Sequence, residues 1–115
     1  MSRHDDRMRL MDMRDHGQEA CALCAQRCRA DLDMDRLLAL SVVRLLEVVG
    51  EAAARTSPAT RSAIPGIPWS QIIAMRNRLI HAYAEVDRNI VWTVINRDLP
   101  PMIAEINAHL NSGPA

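Results

Sequence analysis

This 115-residue chain has no phenylalanine and no lysine, and its only aromatic residues are Trp69, Trp92 and Tyr83. β-Sandwiches and barrels draw heavily on aromatic residues, so their scarcity favours an all-helical fold. The apolar runs are too short to cross a membrane, and no signal-peptide core opens the chain. We therefore expect a cytoplasmic protein without membrane contact. The length predicts a single helical-bundle domain over residues 1–110, followed by a frayed tail at 111–115.

The chain also has no excess of charge, because fourteen arginines balance fourteen acidic residues. A zero formal net charge does not by itself indicate a nucleic-acid-binding protein. Since every basic residue other than histidine is arginine, each of these cations can bind phosphate or carboxylate through a planar fork.

Cysteine is present only as Cys21, Cys24 and Cys28, and an odd count argues against a disulfide framework. The spacing places the three thiols on one stripe of a helix. A metal site is one interpretation, with His16 as the only nearby fourth ligand. Packing of small apolar residues on a helix face is the other, and the usual need for four well-placed ligands favours it. We expect no metal and no cofactor.

Apolar periodicity predicts an antiparallel bundle of four to five helices around a long helix pair. Gly17 is expected to bend or weaken the first helix. Asp31-Leu32-Asp33 is predicted to form a turn that caps the second helix, and the proline-rich stretch 57–68 is predicted to be a loop. Asp87 is expected to cap the fourth helix. The predicted helices cover about 5–29, 34–56, 68–81 and 88–97, with a fifth after Pro100-Pro101 that contains Met102, Ile103, Ile106 and Leu110.

The residues with the greatest chemical potential lie in the third predicted helix. At 100° per residue, Asn77 and His81 share one shoulder of this helix, about 40° apart, so the amide can orient the imidazole. Arg76 and Tyr83 lie about 20° apart and close to the apolar stripe, whereas Arg78 faces away. The apolar stripe itself consists of Ile72, Met75 and Leu79.

A cation beside the apolar stripe cannot stay unpaired in a dry core. Arg76 must therefore bind a carboxylate such as Glu47 or Glu51, or open into a groove or a subunit interface. Gly50 lies within the helix pattern that carries these carboxylates, where glycine often permits another backbone to pack closely. A basic last turn is also common in ordinary helices, so spacing alone leaves a structural role open.

The motif Arg76-x4-His81-x-Tyr83 resembles the R-x4-H-x-Y motif of HepT-type toxins in the HEPN superfamily. Residues 48–53 resemble the family's "IGEAA" segment. Residues 67–77 resemble its "IPW-x-x-I-x-G-M-R-N" segment, with Ala74 where glycine is usual. Residues 86–92 resemble "VD-x-x-x-VW" and residues 98–100 resemble "DLP". The resemblance covers roughly residues 34–110, and the N-terminal helix is less typical.

The resemblance implies a homodimeric HEPN bundle that acts as the toxin of a type VII toxin–antitoxin pair. Such toxins are metal-independent RNA endonucleases with the active cleft at the dimer interface. By the same resemblance, Arg76 would clamp the scissile phosphate, His81 would act as general base or acid, and Asn77 would position the imidazole or phosphate. The implied partner is an MNT-type nucleotidyltransferase antitoxin that transfers AMP from ATP onto Tyr83.

Two alternatives belong to other classes. The chain could be a non-catalytic HEPN module that serves as the binding partner and substrate of the nucleotidyltransferase, or a purely structural helical dimer. The neutral charge and the scarcity of aromatic side chains favour weak RNA contact of low sequence specificity, focused by arginines.

Overall fold

The computed structural model describes residues 3–81, without the side chains of Ile80 and His81, and residues 87–112. All regular structure in these two stretches is helical, which confirms the all-α prediction. The helices are α1 (Arg3–Cys24), α2 (Asp31–Met34), α3 (Arg36–Arg55), α4 (Pro58–Ala63), α5 (Trp69–His81), α6 (Arg88–Thr93) and α7 (Leu99–Asn111), with a π-helical segment at Val94–Asp98 between the last two.

The two longest helices, α1 and α3, form the antiparallel pair expected from the sequence. Asp6 in the first turns of α1 accepts hydrogen bonds from Ser57, just after α3 ends. At the opposite end, Arg27 beyond α1 pairs with Asp35, the N-cap of α3. The start of α1 is therefore bonded to the segment that follows α3, and the segment that follows α1 is bonded to the start of α3.

The core lies between α1, α3, α5 and α7 and consists mainly of aliphatic and methionine side chains. Gly17 does not break α1, which is helical throughout, and it is buried where a methyl group would contact Met102 and Ile103 of α7. Gly17 therefore lies in the α1–α7 contact, where its nearest neighbours are the flexible ends of side chains rather than backbone. The fully buried large residues include Leu10, Met13, Val42, Leu46, Val49, Leu99, Met102 and Ile106.

The junction between α1 and α3 differs from the predicted turn. α1 ends at Cys24 rather than near Arg29, and the Asp31 side chain accepts a hydrogen bond from the Cys28 backbone N–H at 2.8 Å. Residues 31–34 form the short α2 instead of a turn. The N-cap of α3 is Asp35, whose side chain accepts from Leu38 N–H at 3.0 Å. The prediction that Asp31-Leu32-Asp33 would cap this helix was wrong, because α2 and Asp35 intervene.

The predicted loop at 57–68 contains the helix α4. Ser57 is its N-cap and accepts from the Thr60 N–H, and Pro58 occupies the first helical position, where proline costs no hydrogen bond. Asp6 accepts from both the Ser57 and the Thr60 hydroxyls. A carboxylate from a distant part of the chain therefore fixes a helix that local composition did not indicate.

The C-terminal helices follow the predicted order. Asp87 caps α6 as expected, accepting from the Asn89 and Ile90 N–H groups. Pro100 and Pro101 have no N–H to donate to the preceding turn. Before them the helix has the wider π-helical hydrogen-bond pattern, in which the Leu99 N–H donates to Val94 O, five residues back. α7 reaches Asn111, and residues 113–115 of the predicted tail lie outside the described residues. Among the described helices, none combines the length and apolar character that a bilayer crossing requires.

Candidate functional site

The candidate site is built where α5 crosses α3 at Gly50. A methyl group at Gly50 would lie 2.7 Å from Arg76 Cγ and 3.3 Å from Arg76 Cα. Only a glycine leaves space for Arg76 at this point, and the sequence-based expectation of close packing at Gly50 is confirmed. The inward residues of α5 are buried as predicted: Ile72, Met75 and Leu79. Because these residues face the core, Arg76 lies along the surface of α3.

Arg76 is held between a carboxylate and an amide. Its Nη2 donates to Oε2 of Glu51, and its Nη1 donates to Asn77 Oδ1 at 2.9 Å. The expectation that Arg76 binds a carboxylate is therefore confirmed, and of the two candidates it is Glu51. Glu47 instead pairs with Arg44 at 3.5 Å. The Arg76 side chain is 27% exposed, so its guanidinium is oriented but not sealed from solvent.

Glu51 bridges two arginines. Its Oε1 accepts from Arg55 Nε at 2.8 Å, while Oε2 binds Arg76. The hydrogen bond from Arg55, together with the charges of both arginines and the hydrogen bond from Arg76, lowers the pKa of Glu51 despite partial burial. The carboxylate thus stays ionised at neutral pH, and the Arg76–Glu51–Arg55 cluster keeps one net positive charge.

The other motif residues are placed as follows. Asn77 and Arg78 are exposed on α5, and Arg78 faces away from the core as predicted. The Asn77 carbonyl oxygen is used by Arg76, an interaction that the helical angles did not indicate. α5 ends at His81, but the His81 side chain and all of Tyr83 lie outside the described part of the chain. The predicted pairs Asn77–His81 and Arg76–Tyr83 therefore remain predictions.

An open cleft of about 620 Å³ adjoins the motif on α5. Asn77 and Ser70 line it from α5, Trp69 contributes an aromatic surface, and Arg61 faces it from α4. The Trp69 indole N–H donates to Ile64 O at 3.1 Å, so the ring is fixed in place. Neither an aromatic platform nor a role for Arg61 was expected from the sequence. The fixed orientation of Trp69 depends on a side-chain hydrogen bond that periodicity does not show, and Arg61 stands on α4, a helix that was not predicted.

The cysteines do not form the predicted single stripe. Cys24 is buried, Cys21 is half-buried with Sγ 3.7 Å from Ile95 O, and Cys28 is exposed beyond the end of α1. Burial raises the pKa of both the Cys21 and Cys24 thiols. Within the residues that the structure describes, no group of three or more His, Cys, Asp or Glu side chains could hold a metal ion. His16 bonds instead to Asp12 O of its own helix.

Comparison with known proteins identifies a family model and several relatives that match this chain. Residues 13–109 match the family model described as "Ribonuclease HepT-like". The chain is 35% identical over 75 residues to "Probable ribonuclease HepT" of Thermococcus cleftensis, covering 65% of this chain and 68% of the relative.

Two further relatives carry provisional RNase names. One, from Methanocaldococcus jannaschii, is 31% identical over 72 residues, covering 63% of this chain and 66% of that protein's length. The other, from Caldanaerobacter subterraneus, is 29% identical over 96 residues, covering 80% and 86%. No solved structure matches the chain. Because the family model matches most of the chain, and the motif around Arg76 stands on the predicted helix, the protein belongs to the HepT-like ribonuclease family.

Proposed function

We propose that this protein is the toxin of a type VII toxin–antitoxin pair: a metal-independent endoribonuclease, neutralised when a nucleotidyltransferase antitoxin transfers AMP to Tyr83. Membership of the HepT-like ribonuclease family and the RNase names of its relatives support the ribonuclease part. RNA as substrate and ATP as the source of AMP would place the reaction in the cytoplasm. The toxin–antitoxin part rests on the resemblance of the motif.

The observation that carries the proposal is the position of Arg76. A guanidinium has five N–H donors, and Glu51 and Asn77 take only two of them. The remaining donors are available to phosphate oxygens from an orientation already fixed by Glu51. Such preorganised donors stabilise charge that develops on a phosphate during reaction.

The proposed reaction is an in-line attack by the ribose 2′-hydroxyl on the adjacent phosphorus. His81 accepts the 2′-hydroxyl proton as the new P–O bond forms, and the bond to the 5′-oxygen of the next nucleotide breaks. The protonated His81 then returns this proton to the leaving oxygen, which yields a 5′-hydroxyl and a 2′,3′-cyclic phosphate. Imidazole suits this exchange because its ordinary pKa range lies near neutrality.

A homodimer would complete the cleft. On the surface of α3, the side chains of Leu37 and Leu40 are 75% and 54% exposed. Ideal helical geometry places both within about 60° of Glu51 on the same face of α3. This exposed apolar stripe at the start of α3 is separated from Glu51 by Arg44 and Glu47, which form an ion pair on the same face. A second copy packing along this face would therefore meet the leucines and the charged residues together, with the two motifs close to the shared surface.

Modification of Tyr83 would act as the control step. The transferred AMP adds a bulky nucleoside and a negatively charged phosphodiester two residues after His81. Negative charge near Arg76 competes with the RNA phosphate for the same donors. The modified toxin is therefore expected to lose RNA binding as well as cleavage.

A second candidate is the non-catalytic module that serves as partner and substrate of the nucleotidyltransferase. The Arg76–Glu51 ion pair favours it to a degree, because Glu51 already neutralises one charge at the motif. The two candidates differ in a single property: only the first predicts that the unmodified protein cuts RNA.

The test compares purified wild type with Arg76→Ala, His81→Ala and Arg78→Ala on labelled RNA in the presence of EDTA. Arg78 is the matched control, because it is an exposed cation on the same helix. Cleavage by wild type and Arg78→Ala, but not by the other two folded variants, supports the endoribonuclease. Lack of cleavage by wild type, with an AMP adduct on Tyr83 in the intact mass after incubation with ATP and the nucleotidyltransferase, would instead establish the second candidate.

A further inference from the structure

A second basic cleft lies beside the start of α1, where α3 ends and α4 begins. Its volume is about 410 Å³, and Arg9, Arg55 and Arg61 line it together with Thr56 and Ser57. Among the described residues that line this cleft, none is acidic. Three cations around one concave surface create a positive potential that attracts anions.

Arg9 lines this cleft and carries an unsatisfied donor. Its Nε is buried and has no hydrogen-bond partner within the described part of the chain. The carboxylate of Asp6, one turn earlier on α1, already accepts hydrogen bonds from the Ser57 N–H and from the Ser57 and Thr60 hydroxyls. A buried N–H on a charged group is costly to leave unpaired, so a rotation of the Arg9 side chain that brings this donor to an acceptor in the cleft would be favourable.

Arg61 presents a fixed guanidinium to the same cleft. Its Nε donates to Thr56 O at 3.0 Å and its Nη2 donates to Ala54 O at 2.8 Å, which anchors the group on carbonyls at the end of α3. Its Nη1 makes no hydrogen bond to any described residue. A guanidinium held in this way loses little freedom when it binds a phosphate oxygen.

Two connections link this cleft to the motif. Arg55, which lines it, binds the same Glu51 carboxylate that holds Arg76. Arg61 lines both this cleft and the one that contains Asn77. Arg55 and Arg61 therefore connect this cleft with the surroundings of Arg76 and Asn77.

We propose that the cleft formed by Arg9, Arg55 and Arg61 is a phosphate subsite that binds an RNA backbone phosphate away from the scissile one. The identity of the ligand as RNA rests on the proposed function, whereas an oxyanion site rests on the cleft alone. A subsite of this kind supplies affinity without sequence information, because backbone phosphates are the same at every nucleotide. It would compensate for the zero net charge of the chain.

The test uses the full chain with His81→Ala, to prevent cleavage, and measures binding of a fluorescent single-stranded RNA by anisotropy at several salt concentrations. Adding Arg9→Gln should remove one phosphate contact and make the slope of log Kd against log salt shallower by about 0.7, equivalent to about fivefold weaker binding at 0.1 M salt. Arg7→Gln is the matched control, because it removes the same charge from an exposed position on α1. Arg9→Lys, which keeps the charge, should recover part of the loss.

The outcomes separate the subsite from the ribonuclease. RNA binding that depends on Arg9, in a protein whose wild type does not cut RNA, supports the subsite and rejects the proposed function. Equal slopes for Arg9→Gln and Arg7→Gln overturn the subsite even if the wild type is an active nuclease. If inorganic pyrophosphate raises the Tm of wild type but not of Arg9→Gln while no variant binds RNA, the cleft is a free-anion site and the RNA assignment is wrong.

Discussion

The backbone of Gly50 on α3 lies directly against the side chain of Arg76 on α5, with no room between them for a methyl group. Gly50 therefore fixes how closely α5 approaches the helix that carries Glu51. The glycine and the ion pair form one unit, since Glu51 follows Gly50 in sequence and binds the arginine that Gly50 admits.

The first prediction concerns Gly50→Ala. The added methyl overlaps Arg76 Cβ and Cγ, and overpacking of this kind costs about 1–3 kcal/mol, against a gain of up to about 1 kcal/mol in helix propensity. We expect a lower free energy of unfolding in urea and loss of RNA cleavage as Arg76 is displaced. Gly17→Ala is the control: its new methyl would meet only flexible side-chain ends at 3.0 Å and 3.6 Å, so stability should be equal or higher. Equal stability of the two variants would contradict the tight α3–α5 contact.

Glu51 gives the second prediction, since it binds Arg76 and has only a positioning role in the proposed reaction. Glu51→Gln should reduce kcat for RNA cleavage by about ten- to a hundredfold, the effect of a misplaced catalytic group. KM should not rise, because removing the carboxylate leaves Arg76 and Arg55 more positive. Glu47→Gln is the matched control, one turn away on α3 and paired with Arg44. An unchanged kcat in Glu51→Gln would show that Arg76 needs no carboxylate for its position.

Several parts of this arrangement could be predicted from the sequence, and others could not. The close approach at Gly50 and the carboxylate partner of Arg76 follow from local spacing and the cost of an unpaired buried cation. α4 was missed although Ser57-Pro58 is a local signal for a helix start, because the other prolines and the glycine in 57–68 indicate a loop; the Asp6 carboxylate that fixes this helix start lies 51 residues before Ser57. Arg61 reaches its clefts only through that helix. Its guanidinium is fixed by the nearby Thr56 and Ala54 carbonyls, and such side-chain contacts leave no periodic signal in the sequence.

The third prediction is that Asp6 makes the free energy of unfolding depend on pH in the acid range. Burial raises the pKa of Asp6, but hydrogen bonds from Ser57 and Thr60 outweigh it and leave the pKa below the ordinary value of 3.8. A folded-state pKa below the unfolded one adds stability above about pH 4 that is lost as the pH falls through the folded-state value. The free energy of unfolding of the wild type, measured in urea, should therefore fall as the pH is lowered through this range.

Asp6→Asn tests the source of that dependence. Loss of the charged acceptor should cost about 1.5–3 kcal/mol near neutral pH and should flatten the decline below pH 4. Asp15→Asn, which removes an exposed carboxylate of the same helix, should change stability by less than about 1 kcal/mol. If Asp6→Asn retains the full acid dependence, carboxylates elsewhere are responsible.

The fourth prediction concerns the exposed stripe on α3. Leu37→Glu with Leu40→Glu places charges in the proposed dimer surface, so sedimentation velocity should show monomers and RNA cleavage should fall. Leu23→Glu is the control, because Leu23 is a 40% exposed leucine on α1 rather than on α3. A double variant that remains dimeric would move the interface to another face.

The fifth prediction separates packing from metal binding at the cysteines. Cys28 is exposed, whereas burial raises the pKa of Cys21 and Cys24 and so reduces their reactive thiolate. Iodoacetamide should therefore alkylate Cys28 in the folded protein and reach the other two only after unfolding, as peptide mass spectrometry can measure. A shared metal site would instead protect all three thiols together when Zn²⁺ is added. Since Cys28 stands beyond the end of α1, we expect Zn²⁺ to leave its alkylation rate unchanged, and protection by Zn²⁺ would restore the metal interpretation.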